Sequence, residues 1–392
     1  MLDRFFSSPA EGGFHWPGRL IAGSGAHRHV AALKEGKQTL IIADAAVAGL
    51  AHALLPETPF ITVSGEPTEA ALALLAASLP GDRWDLLIAI GGGSTMDMAK
   101  AIALMLRHGT IAVKDHPRTD KAPRLIAIPT LSGSGAETSR FSLLTGSDGL
   151  KHARRTWDAV PDLTIIDPSL IASAGRERLI LGAFDTFIHL WETFICRTER
   201  NAATDMIALA HLPKLLESAA RVDSAAEPEP DEVKALALAS AWGGIAISNV
   251  RTGLIHTLAE CLAAQLPLPH PVTLTVFFPA VMAHVVPFVP DRLQALSTVI
   301  GHPALPRIMN TWSSVLTTTS ATPQVVEALN KHPFDEAALL TSVLRDTVLQ
   351  KEHPAPIDVS VITALIREAI ARVRESKTRI NTDAIWTSSL SI

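Results

Sequence analysis

The sequence predicts an α/β domain built on a parallel sheet with helices on both faces, followed by an all-α domain. Three observations carry this. Short, continuously apolar runs alternate with Ala/Leu-rich stretches through the first half of the chain. From Arg176 onward the apolar residues recur at helical spacing almost without interruption. The 392 residues suit two domains, since a domain averages about 150 residues. In chain order, TLIIADA (Thr39–Ala45), LLIAIGGG (Leu86–Gly93) and LIAIPT (Leu125–Thr130) are apolar throughout, as strands covered on both faces are. Between them AAVAGLAHALL, TEAALALLAASL and TMDMAKAIALMLRHG are each long enough for a helix, and LTIIDPSL (Leu163–Leu170) supplies a further strand. The alternation stops near residue 168, which divides the chain into 1–168 and 169–392. In the second part RERLILGAFDTFIHLWETFICR, NAATDMIALAHLPKLLESAA and DEVKALALASAWGGIAISNVRTGLIHTLAECLAA carry apolar residues three to four apart. A mobile connector is expected at Asp223–Asp231. Ligands of such chains commonly sit in the cleft between two domains.

Composition narrows the function classes. Lys+Arg number 34 and Asp+Glu 39, giving a formal net charge of −5. With no basic run, a nucleic-acid partner is not expected. Hydrophobic residues make up 47%, which excludes a disordered chain. Cys196 and Cys261 do not form a CxxC pair and fit buried thiols of a reducing cytoplasm. The opening MLDRFFSSPAEGGFHW lacks a signal-peptide core. The most apolar window, from Leu274, is broken by Pro279, His284 and Pro287, so a core helix is expected rather than a membrane span. The chain reads as soluble and cytoplasmic.

The sharpest local signal is IGGGSTMDMAK, Ile90–Lys100, directly after a buried strand. Consecutive glycines let the backbone approach a ligand closely. Ser94 is expected to begin a helix, with Ser94 to Asp97 in the capping-box form. A helix start of this kind is an anion site suited to a diphosphate, although the same turn also serves as a tight bend alone. The G-x-G-x-x-G pattern is absent, since Gly23-Ser24-Gly25-Ala26-His27-Arg28 fails at its last position. A second small-residue turn, Ile128–Ser139, follows the next strand and offers Thr130, Ser132 and Ser134. Two such turns at neighbouring strand ends favour a nucleotide crevice.

Asp185 and His189 stand four apart in GAFDTFIHLWE, which puts both on one helix face. His256 lies in GLIHTLAE and His270 in LPLPHP. One carboxylate and three imidazoles form a set acceptable to Zn2+ or Fe2+. Their charge of −1 would leave a divalent centre positive and Lewis acidic. Each histidine alone, among 15 in the chain, is equally a surface or hydrogen-bonded core residue.

Ile90–Lys100, Ile128–Thr145, Leu163–Glu192 and Gly253–Pro279 together resemble the iron-containing (group III) alcohol dehydrogenase family. That family shows GGGSxxDxxK, IPTTxGTGSE, DP…GxDAxxHxxE and GxxHxxAHxxG…PHGxxN in this order. The resemblance implies a dinucleotide-binding α/β domain and a helical metal domain. It implies metal ligation by Asp185, His189, His256 and His270. It places Gly91, Gly92, Gly93 and Ser94 on the NAD pyrophosphate with Asp97 in the same turn, and Thr130, Ser134 and Lys151 along the cofactor. Asp44 would face the adenosine ribose, favouring NAD over NADP because a carboxylate repels a 2′-phosphate. The implied reaction is hydride transfer between NAD(H) and a primary alcohol or aldehyde, with one divalent metal, Fe2+ or Zn2+, in a homo-oligomer, by default a dimer. The nicotinamide would lie between the two domains, its C4 facing the metal-bound carbon.

Three departures bear on substrate. Glu260 replaces the family's second histidine, four residues after His256, and offers a proton relay, a substrate contact or a salt-bridged helix residue. PHGxxN becomes Pro269-His270-Pro271-Val272-Thr273-Leu274, which reshapes the loop after His270. Arg140 stands where the family carries an uncharged residue, and is either a surface cation or a contact for an anionic aldehyde. Two other reactions fit the scaffold. A cyclase resembling dehydroquinate synthase is opposed by Asp185 and His189, since that family has Glu first and no histidine four later. A reductase resembling maleylacetate reductase carries Asn in place of the ligand aspartate and no metal. A retired nucleotide-binding scaffold is the non-enzymatic alternative.

Overall fold

The computed structural model describes residues 13–81, 83–113 and 118–376. The first twelve residues, which hold most of the stretch where no export signal was expected, lie outside them. The strands are β1 (Leu20–Ala22), β2 (Thr39–Asp44), β3 (Phe60–Val63), β4 (Leu86–Gly91), β5 (Arg124–Pro129), β6 (Phe141–Thr145), β7 (Lys151–Arg155) and β8 (Leu163–Ile166). Six of them form one sheet in the order β1-β8-β5-β4-β2-β3, every neighbouring pair parallel. The continuous apolar runs are explained by cover on both faces. Leu40, Ile42, Leu87 and Ala89 point to one core with Met98 and Ile102, while Ile41, Ala43, Ile88 and Ile90 point to another with Val30, Ala51 and Leu170. After β2 the chain steps outward to β3, then returns to the other side of β2 to make β4. The sheet therefore reverses direction between β2 and β4, and such reversals place a crevice at the carboxyl ends of the two strands.

Four strands escape the sequence reading. β1 and β3 have only three and four residues, too few to show a period. β6 and β7 form an antiparallel hairpin whose second strand, KHARR, is cationic rather than apolar.

The helices named below are α1 (Gly93–His108), α2 (Arg176–Ile195), α3 (Ala202–Ser224), α4 (Pro230–Asn249), α5 (Leu254–Ala263) and α6 (His270–Val285). Three corrections follow. First, α1 starts at Gly93 with Gly92 as N-cap and no side-chain cap, so the expected capping box from Ser94 to Asp97 is not formed. Second, the connector expected at Asp223–Asp231 shrinks to residues 225–229, because α3 runs through Ser224 and α4 begins at Pro230. Third, the compact units are the described residues to Gly175 with Pro228–Ser248, and Arg176–Glu227 with the described residues from Asn249.

The third difference gives α4 to the α/β unit, whereas the sequence boundary at 168 assigned it to the helical part. Small residues explain it. A Cβ on Gly244 would lie 2.8 Å from the carbonyl carbon of Gly135, so the backbones meet directly. The Thr138 hydroxyl donates to the Ala241 carbonyl at 2.7 Å. The Ser240 hydroxyl accepts from the Gly133 amide at 2.8 Å and donates to Glu137 at 3.0 Å.

In the second unit the apolar window from Leu274 forms α6, with Pro279 inside the helix. By length and composition His270–Phe288 is apolar enough to cross a membrane, yet 61% of that stretch is buried within the protein, as a core helix is.

Candidate metal centre and cofactor cradle

In the second unit, α2 is buried on all sides from Leu179 to Ile195. Asp185 and His189, one turn apart on it, are 2% and 5% exposed. His256 lies in the first turn of α5 and is also buried. His270 is the first residue of α6, where Pro271 replaces the glycine of the family pattern and starts the helix without an intervening loop. Thr273 donates its hydroxyl to the His270 carbonyl at 2.8 Å, closing that first turn.

The four side chains converge. His189 Nε2, His256 Nε2 and His270 Nε2 stand 3.5, 3.4 and 3.9 Å from Asp185 Oδ1. Donor atoms of Asp185, His256 and His270 all lie within 4.8 Å of one another. Ligands held at ~2.1 Å by one ion are separated by about 3.0–3.4 Å in octahedral or tetrahedral geometry, so modest closing would bring Asp185, His256 and His270 to one ion, while His189 approaches Asp185 but lies outside that mutual set. The His189 and His256 rings stack with centroids 4.6 Å apart. His270 keeps 26% of its side chain exposed, which leaves one side of the cluster open.

Two buried polar atoms of the cluster stand out. Neither Asp185 Oδ1 nor His256 Nε2 has a hydrogen-bond partner, although both are buried. Burial alone would push the Asp185 carboxyl up, yet His189, His256 and His270 hold it below the usual carboxylate range. Burial likewise disfavours the His256 cation, but Asp185 and Glu192 outweigh it and raise that imidazole to about 10. The cluster therefore attracts positive charge strongly, and a donor set of one carboxylate and three imidazoles fits a divalent transition metal.

One participant is absent from the sequence reading. Glu192, 4% exposed, accepts from His256 Nδ1, the Gly253 amide and the Ile255 amide, each at 2.7 Å. The available signal was the closing Glu of the DAxxHxxE pattern, which falls at Glu192, three residues beyond His189 and seven beyond Asp185 on the same face.

In the first unit the expected cofactor residues gather at the reversal between β2 and β4. A Cβ on Gly91 would lie 2.7 Å from Thr95 Cβ and 3.0 Å from Asp44 Cβ. A Cβ on Gly92 would meet Leu131 Cδ1 at 2.7 Å, and one on Gly93 would meet Ser134 Oγ at 2.9 Å. The three glycines thus form a cradle that any side chain would fill. The Thr130 amide donates to the Gly91 carbonyl at 2.9 Å, tying the two turns together. Ser94 lies in the uncapped first turn of α1, whose amides suit an anion. Asp44 Oδ1 accepts from the Ala46 amide at 2.8 Å, which fixes the carboxylate at the end of β2. Thr95 Oγ1 and Ser132 Oγ are buried without a partner beside this cradle, as groups awaiting a polar ligand are.

Two expected contacts are placed differently. Asp97 has its carboxyl near Lys100, and burial raises it to about 7. The Lys151 ammonium pairs with Glu66 at 2.8 Å. Arg140 is neither a surface residue nor open to a substrate. It is fully buried, with its guanidinium 4.3 Å over the Trp157 ring. Glu260 is exposed, one turn beyond His256 on α5.

Comparisons with known proteins give the family and the fold. Residues 17–168 match the model of iron-containing alcohol dehydrogenase, and residues 179–370 match the C-terminal model of the Fe-containing alcohol dehydrogenase family. A 4-hydroxybutyrate dehydrogenase of Cupriavidus necator is 35% identical over 176 residues, covering 43% of this chain and 44% of the relative. The chain thus spans less than half of that protein. A phosphonoacetaldehyde reductase of Streptomyces viridochromogenes is 30% identical over 289 residues, 65% of this chain and 70% of the relative. The solved iron-containing alcohol dehydrogenase of Thermococcus thioreducens superposes with a TM-score of 0.78 at 22% identity, over 91% of this chain and 99% of that one, a likeness of fold. With both family models matched in order across most of its length, the chain belongs to the iron-containing alcohol dehydrogenase family.

Proposed function

We propose that this protein catalyses reversible hydride transfer between NAD(H) and a primary alcohol or aldehyde at a centre that holds one divalent metal, Fe2+ or Zn2+. The observation that carries the proposal is the convergence of Asp185, His189, His256 and His270 around Asp185 Oδ1, with that oxygen and His256 Nε2 left unpaired. When bound, the metal would supply Lewis acidity toward the substrate oxygen and the nicotinamide would accept or donate the hydride.

The chain's own residues do the rest. Asp185 contributes the single formal charge of the ligand set, and the three imidazoles bind while neutral, so a divalent ion keeps a net positive charge. Burial of Asp185, His189 and His256 keeps water from competing on that side, while the exposed face of His270 admits substrate. Gly91, Gly92, Gly93 and Ser94 would receive the pyrophosphate, with Thr130 and Ser134 flanking it. Asp44 would accept from a ribose hydroxyl and repel a 2′-phosphate, which favours NAD over NADP. Glu260, exposed to solvent, would exchange the alcohol proton. The names of the two relatives above denote a carboxylate and a phosphonate substrate, but Arg140 is sealed from either.

Asp185 also supports this reading over a metal-free reductase, since an uncharged residue there would leave the three imidazoles without an anionic partner. The test is His256→Ala and His270→Ala, each assayed for metal retained after dialysis and for absorbance change at 340 nm with alcohols and aldehydes. Loss of metal and of turnover in both is expected. Full metal content and turnover in both would overturn the assignment.

A further inference from the structure

Glu192 makes no approach to Asp185 Oδ1 among the described contacts, yet it is the most heavily engaged carboxylate around the cluster. Three donors converge on its two oxygens. Oε1 accepts from the Ile255 amide, and Oε2 accepts from both the Gly253 amide and His256 Nδ1. The first turn of α5 has Gly253 as N-cap and no cap from its own side chains, so Glu192 reaches across from α2 to satisfy those amides. Gly253 itself has no room for more, because a Cβ there would lie 2.9 Å from Glu192 Oε1 and 3.0 Å from its Cδ.

An ionised carboxylate can only accept, so the ring nitrogen facing it must carry the proton. His256 Nδ1 is therefore the donor to Glu192, and Nε2, 3.4 Å from Asp185 Oδ1, is the nitrogen left to meet an ion once its own proton is displaced. The opposite tautomer would put a hydrogen on Nε2, where a metal must bind, and a lone pair against Glu192 Oε2.

We propose that Glu192 is a positioning residue for the metal centre: it fixes the His256 tautomer and ring orientation and anchors the start of α5, so that Nε2 is presented to the ion. The inference rests on the metal reading above. A carboxylate behind a ligating imidazole also raises its basicity, and loss of such a partner weakens metal binding by about 10- to 100-fold.

The experiment is Glu192→Gln in the full chain, with Zn2+ affinity measured by chelator competition and thermal melting of the metal-free protein run in parallel. Gln keeps one acceptor and nearly the same shape, so the melting temperature should move little while the Zn2+ dissociation constant rises about 10- to 100-fold. In a His256→Ala background the same substitution should change affinity less than twofold. A purely structural role would do the reverse, lowering the melting temperature and leaving the dissociation constant within twofold, and that result overturns the inference. Should the variant fail to fold, the unaltered protein decides. With 15N-labelled histidine and 113Cd2+, metal–nitrogen coupling at His256 Nε2 with a protonated Nδ1 is expected, and coupling at Nδ1 refutes the role. Wild-type protein that takes up no Zn2+ would overturn both this inference and the metal reading. Wild-type uptake with an unaffected variant would overturn only the assignment of Glu192.

Discussion

Gly244→Ala tests the placement of α4 and, through it, the cofactor cradle. A methyl group on Gly244 would collide with the Gly135 carbonyl oxygen and the Thr138 hydroxyl, and would lie 2.8 Å from the Gly135 carbonyl carbon. Carbon atoms prefer separations of about 3.5–4.0 Å, so α4 must retreat by roughly 1 Å. Overpacking of this kind costs about 1–3 kcal/mol. The retreat also strains the bonds from Thr138 to Ala241, Ser240 to Glu137 and Gly133 to Ser240, each worth about 0.5–1.5 kcal/mol. Against this, Ala is favoured over Gly inside a helix by about 0.8–1.0 kcal/mol. The balance is a net loss of roughly 0.5–5 kcal/mol when one or two of those bonds fail. Because Ser134 and Thr130 ride on the same turn, weaker NAD(H) binding should accompany the loss. The assay is urea unfolding followed by circular dichroism, with NADH fluorescence for binding. Gly49→Ala is the control, since nothing lies within 4 Å of a Cβ there, and it should be neutral or stabilising by up to about 1 kcal/mol. A Gly244→Ala protein as stable as the Gly49→Ala protein, with unchanged NADH affinity, would refute the packing of α4 against the Gly135 turn.

Three further outcomes are expected. Arg140→Met should lower stability, since it removes a guanidinium packed over Trp157, a contact worth about 0.5–2 kcal/mol. It should shift the ratio of kcat/KM for anionic over neutral aldehydes less than twofold, and a larger shift would mean that Arg140 meets substrate. Burial raises the Asp97 carboxyl to about 7, against the opposing pull of Lys100, so the native state keeps a proton that the unfolded chain releases near pH ~4. That group's contribution to stability is therefore present at low pH and lost as pH rises toward 7; Asp97→Asn should flatten the decline, as read by urea midpoints between pH 4 and 7. Burial pushes both Cys196 and Cys261 up to about 12, so at pH 8 a disulfide reagent should react slowly with the native chain and rapidly after unfolding.

How far the sequence could be followed depended on whether a signal was local. The four inner strands, β2, β4, β5 and β8, announced themselves because both faces are covered, and the triglycine turn did so because it follows one of them directly. The order of Asp185, His189, His256 and His270 along the chain was legible, whereas their convergence required the packing of α2, α5 and α6. Short or charged strands such as β1 and β7 leave no period to detect. The allegiance of α4 was hidden for a different reason: ALASAWGGIAISN is apolar or small on every side, so its pattern names no partner face. Arg140 shows the limit of residue type as a guide. An arginine reads as exposed by default, and only the structure shows an aromatic ring beneath it and no exposed surface.

The centre owes its shape to the core beside it. Phe184, next to Asp185, and Phe187, midway between Asp185 and His189, pack edge-on against Phe278 with centroids 5.2 and 5.8 Å apart, and both rings meet Trp312 at 5.0 and 5.3 Å. Phe278 belongs to α6, the helix that begins with His270. A helix advances 100° per residue, as 3.6 residues make a turn, so locking Phe184 and Phe187 against these rings leaves α2 one rotation in which to stand. That rotation carries Asp185, His189 and Glu192 on a single face. The aromatic cluster thus ties the helix of Asp185 and His189 to the helix of His270, and Glu192 ties it to the helix of His256. Each of these helices is fixed by contacts that need no metal, so the convergence of Asp185, His189, His256 and His270 comes from packing elsewhere, and a bound cation would enter a geometry that it does not create.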